Sequence, residues 1–131
     1  MMKRAPALIL LFMSTMCLAA DWEELVGTSP VSFINQKSIK KIDVFGKTYT
    51  QAWIKTKLDK PKILEGKTVT EASSLYIVDC ENNTLALKSI SLRHHGSLVQ
   101  SISNQDYELK FSPIEPETNA EAFAEAICSP S

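Results

Sequence analysis

The chain has 131 residues, 44% of them apolar, with 14 basic against 15 acidic side chains and a formal net charge of −1. That length fits one domain of ordinary size and leaves no room for several. Past the first twenty residues no stretch is apolar over the ~20 residues needed to span a bilayer, which excludes a membrane-anchoring helix from the remainder.

Residues 1–20 read as a signal peptide. Lys3 and Arg4 form a positive start, and Ala7 to Met13 an apolar run too short to span a membrane. Cys17-Leu18-Ala19-Ala20 then offers small residues to a peptidase. Cleavage after Ala19 or after Ala20 leaves a single domain over residues 21–131. Cys17 departs with the signal in this reading. Its lipidation is the alternative, against which Met16 and Ser14 stand where lipoprotein signals carry a small residue and Leu. Loss of Lys3 and Arg4 takes the net charge to −3. Cys80 and Cys128 remain, an even count in an exported chain with one pairing open to it.

Trp22 to Val26 is the first strand candidate, closed by the turn cluster Gly27-Thr28-Ser29-Pro30. Val31 to Ile34 is the second, with Val31 and Phe33 on one face. Ile42 to Leu58 reads as the longest extended stretch, with Gly46 marking a bulge or bend. Within it Phe45, Tyr49 and Trp53 share one face, and Thr48, Thr50, Ala52, Ile54 and Thr56 the other. Asp59 to Ala72, charged and punctuated by Pro61 and Gly66, reads as a mobile linker. Ser73 to Cys80 is apolar on both faces and is therefore expected at the centre of a sheet.

Glu81 to Thr84 turns the chain into a hairpin with Leu85 to Leu92. The apolar parity changes inside that strand, from Leu85 and Leu87 to Ile90 and Leu92, and a bulge near Lys88-Ser89 reconciles the two halves. His94 to Ser97 is a turn and Leu98 to Ser103 the last clear strand. Asn104 to Pro116 reads as an ordered, irregular crossing segment. Thr118 caps a C-terminal helix, with Glu121 reaching back in a capping box. Ala120, Phe123, Ala124 and Ile127 form one apolar stripe, and Cys128 lies on it. A Cys80–Cys128 bridge then lays this helix over Tyr76 and Val78.

Charge is unevenly spread. Residues 37–67 hold nine lysines against three acids, whereas residues 68–131 hold three bases against nine acids. The lysine block either faces a polyanion or an acidic protein patch, or coats an exposed sheet face and guards its edges. Tyr49 and Trp53 beside Lys47 and Lys55 form an interleaving that can bind nucleic acid or sugars. The aromatic stripe is assigned to the core instead, and export sets nucleic acid aside. His94-His95 is assigned to an exposed turn rather than a metal site. No serine stands in a Gly-x-Ser-x-Gly elbow, and the four glycines are isolated. The residues point to no catalytic group, metal or cofactor.

Trp22, Phe33-Ile34-Asn35 with Ser38-Ile39, Ala52-Trp53, Ser74 to Cys80, and Ser112-Pro113-Ile114-Glu115-Pro116 leading to Ala126-Ile127-Cys128 occur in an order that resembles the surface-adhesin protein E family of Gram-negative bacteria. The resemblance implies an α+β fold: a single antiparallel sheet of about six strands with one C-terminal helix packed on it and held by Cys80–Cys128. It implies a non-enzymatic envelope protein, at the periplasm or cell surface, that attaches to host matrix or serum proteins such as vitronectin and laminin. The alternative is a periplasmic accessory or inhibitor domain with no host role. Binding in the family is associated with a basic exposed stretch, whose nearest equivalent here is Lys55, Lys57, Lys60, Lys62 and Lys67.

Overall fold

The computed structural model describes residues 21–129. The expected signal peptide, residues 1–20 with Cys17, lies outside them. Strands β1 (Trp22–Leu25), β2 (Ser32–Asn35), β3 (Lys40–Val44), β4 (Lys47–Leu64), β5 (Lys67–Asp79), β6 (Thr84–His94), β7 (Ser97–Ser103) and β8 (Ser112–Pro113) precede helix α1 (Asn119–Cys128). All strand pairs are antiparallel. They form one sheet whose main path runs β1-β2-β4-β5-β6-β7, with β3 also on β4 and β8 also on β6.

The sheet thus has eight strands where about six were expected. The difference is physical: the path has six members, and β3 and β8 are short pieces that share an edge with β2 and β7. The stretch from Ile42 to Leu58 is divided rather than continuous. Phe45 and Gly46 both adopt positive φ, at 49° and 82°, so Gly46 belongs to a two-residue hairpin turn and not to a bulge. Phe45 is consequently 81% exposed and contributes nothing to the core.

Residues 59–72 are not a loose linker. β4 runs on to Leu64, turns through Glu65 and Gly66 at φ 50° and 79°, and pairs back from Lys67. Charge and Pro61 suggested a loop, but an arm at the sheet's end needs little burial, and Pro61 falls in the register shift between Lys57 and Lys62, where no ladder donor is required. Elsewhere the alternation predicts well. β5 lies between β4 and β6. Leu75 pairs with Ser89 and Tyr76 with Leu87, which leaves Lys88 as the extra residue of the expected bulge.

Helix α1 lies on the sheet face that carries Ala52, Ile54 and Val78. Phe123, Ala124 and Ile127 bury there, and the Phe123 ring meets Tyr76 at 5.4 Å between centroids. The Thr118 hydroxyl accepts from the Glu121 N–H, while the Glu121 carboxylate accepts from Glu117 N–H rather than from the cap's own. Cys80 and Cys128 are bonded with their α-carbons 5.9 Å apart, and they close a loop of sequence separation 48. Restricting that loop in the unfolded chain contributes about 4 kcal/mol on the chain-entropy argument.

Candidate functional site

The helix covers one face of the sheet and leaves much of the other open. The open face carries the alternate positions of each strand, and the registers set them in rows. One row runs Trp53, Leu75 and Ser89, with the pair Trp22 and Asn35 at its β2 side. The next runs Glu24, Phe33, Lys55, Ser73, Ser91 and Ser101. A third holds Lys57, Glu71, Arg93 and Leu98. At the sheet end near Asp79 this face is partly closed. Ile77 and Ala86 are buried there as a cross-strand pair, and Phe111 from the crossing segment stacks on Tyr49 at 4.9 Å.

Lysine and aromatic side chains interlock on the open part. Lys55 Nζ sits 4.6 Å from the Trp22 ring centroid and 5.8 Å from that of Phe33, and Lys57 Nζ 5.5 Å from Phe33. The ammonium groups themselves thus lie over the ring faces, a cation–π arrangement. Next to them Ser73 and Ser91 bring only small side chains. A trough of about 280 Å³ opens over them, lined also by Trp22, Asn35, Trp53 and Arg93.

The five lysines singled out in the sequence fall into two groups. Lys55 and Lys57 belong to this face. Lys60, Lys62 and Lys67 are exposed on the β4–β5 arm, beyond the register shift that interrupts the alternation. Among the described residues the ion pairs are Lys37–Asp21, Lys47–Asp79 and Lys88–Asp106, so none of the five is tied to a carboxylate. At the root of the same arm Leu58, Ile63, Leu64, Val69, Ile90 and Leu92 line an apolar groove of about 300 Å³.

Trp22 and Arg93 were not anticipated as members of this face. Trp22 reaches it through the β1–β2–β4 registers, pairings between distant segments that no local pattern contains. The unexpected hairpin arm likewise changed the surroundings of the lysines more than their exposure.

The perturbed titratable groups serve the fold. Lys47 bonds Asp79 at 2.7 Å, and the carboxylate also accepts from the backbone N–H groups of Glu81 and Asn82 and from the Asn82 side chain. The Lys47 bond, followed by those of Asn82, holds the Asp79 carboxyl down at about 2, and Asp79 in turn raises the Lys47 ammonium above its ordinary value. Burial pushes the Tyr76 phenol up. His94 and His95 lie exposed at the β6–β7 turn with ring centroids 4.5 Å apart. Among the described residues no group of three or more His, Cys, Asp or Glu is placed to hold a metal ion, and no helix is long and apolar enough to cross a membrane.

A family model described as Surface-adhesin protein E matches residues 22–129. No curated protein and no solved structure matches the chain.

Proposed function

The chain belongs to the surface-adhesin protein E family, and on that premise we propose that it is an exported, non-enzymatic envelope protein that binds another protein through its basic side. The observation that carries this reading is the set of Lys55, Lys57, Lys60, Lys62 and Lys67, displayed along one strand and its arm with no carboxylate partner among the described residues. Cations left free on a rigid sheet attract an acidic protein patch and speed its encounter. The disulfide suits an oxidising compartment. The partners proposed are acidic patches of host matrix or serum proteins, vitronectin and laminin being the probes the family suggests.

The test is exposure together with attachment. A membrane-impermeant label applied to intact cells should reach the protein, and the purified domain should bind immobilised vitronectin or laminin. A protein protected from the label and unable to bind either would instead favour a periplasmic accessory role.

A further inference from the structure

The open sheet face carries a second feature apart from the arm. The trough between Trp53 and Arg93 has a floor of hydroxyls, a wall of indole and a cationic rim. Ser73 and Ser91 are adjacent across β5 and β6, and their small side chains leave the depression where neighbouring rows stand taller. Trp53 and Trp22 border it, Trp22 being 37% exposed. The Asn35 side chain adds an amide to the lining.

One cation, Arg93, lines the trough. Lys55, paired with Ser73 in the register, stands outside that lining with its Nζ 4.6 Å from the Trp22 ring centroid. The Arg93 guanidinium donates to the Gly96 carbonyl at 3.2 Å, which orients the group while leaving most of its N–H donors unused. Glu71 stands opposite Arg93 in the register, yet the described ion pairs do not include it.

We infer that this trough binds an acidic sugar, a pyranose ring bearing a carboxylate, as the terminal residue of a glycan. Each feature asks for a different part of such a ligand. The indole face takes the apolar C–H face of the ring by dispersion. The Ser73 hydroxyl and the Asn35 Nδ2 are available to ring hydroxyls, while Asn35 Oδ1 already accepts from Lys37 N–H and the Ser91 hydroxyl lies 3.5 Å from that of Ser101. The planar fork of Arg93 matches a carboxylate. A volume of about 280 Å³ falls just below the usual range of ligand sites, which suits one ring rather than an oligosaccharide.

The chain has two tryptophans, and both border the trough, so intrinsic fluorescence of the mature domain reports directly on binding. Titration with N-acetylneuraminic acid and with glucuronic acid should give saturable quenching by at least one of them, with a Kd on the order of 1 mM, as expected for a single ring. Glucose and acetate should each bind at least about 10-fold more weakly, because each lacks half of the match. Arg93→Gln should weaken the acid by at least about 10-fold without moving the melting temperature. Ser91→Leu, which fills the floor, should abolish the quench in a protein that still melts cooperatively. Substitution of Lys60, Lys62 and Lys67 by Ser should leave the titration unchanged, which separates this site from the protein-binding arm. Absence of quenching by both acids, equal quenching by glucose, or an Arg93→Gln protein that binds as tightly as the parent would overturn the assignment. So would sedimentation showing that the trough is closed by a second copy of the chain.

Discussion

The side-chain amide of Asn119 grips both backbone groups of Ser29 across 90 residues of sequence: Nδ2 donates to the carbonyl at 3.0 Å and Oδ1 accepts from the N–H at 3.3 Å. The first residue of the helix is thereby fixed to the loop between β1 and β2, and the disulfide fixes its last. A helix held at both ends positions the core stripe between them, and it leaves much of the opposite sheet face open.

Asn119→Ala removes both bonds at a partly exposed site and should cost about 1–2 kcal/mol in chemical denaturation. Asn119→Asp keeps an acceptor for Ser29 N–H but loses the donor, and should fall between the parent and the alanine variant. Equal stability of all three proteins would show that the grip contributes nothing.

At the other end, Cys128→Ala should lower stability by about 4 kcal/mol, the loop-entropy contribution of the bridge. The cost should appear as a lower melting temperature, matched by the parent protein under reducing conditions. An unchanged melt would refute the bridge as a source of stability. Phe123→Ala, at a side chain only 6% exposed whose ring lies tilted against that of Tyr76, should cost about 3–5 kcal/mol from lost burial and the cavity left behind.

Asp79 predicts the acid limb. Its folded pKa of about 2 lies below an ordinary 3.8, so its contribution is fully present above that ordinary value and is lost as pH falls through about 2. Lys47 has the opposite sign: its pKa is raised above 10.5, so its contribution is complete below 10.5 and is lost as pH rises through the folded value. Asp79→Asn should therefore melt lower than the parent at pH 7, with the difference narrowing as pH falls from about 4 toward 2. A difference constant from pH 7 to pH 2 would contradict the Lys47–Asp79 account.

Much of this arrangement was readable from local pattern. The parity change from Leu87 to Ile90 marked the Lys88 bulge because a sheet face admits only one alternation at a time. The stripe from Ala120 to Cys128 told which way the helix faces, and the two apolar faces of Ser73 to Cys80 told where that strand lies. What escaped detection depended on competition between signals. Glu65-Gly66 and Phe45-Gly46 are hairpin turns, but charge around the first and apolar bulk in the second pointed elsewhere. The make-up of the open face escaped for another reason. Trp22, Trp53, Ser91 and Arg93 come together only through strand registers, and register between distant segments is a property of the whole sheet.

Under the proposed function, the lysines of β4 and its arm, which have no carboxylate partner among the described residues, hold an acidic protein patch. The direct measurement is surface binding of the purified mature domain to immobilised vitronectin and laminin, alongside a protein with Lys55, Lys57, Lys60, Lys62 and Lys67 replaced by Ser. The account predicts binding by the parent that weakens as salt rises, and a loss of at least about 10-fold in the five-lysine variant at an unchanged melting temperature. Parent and variant binding with equal affinity at low salt would contradict it.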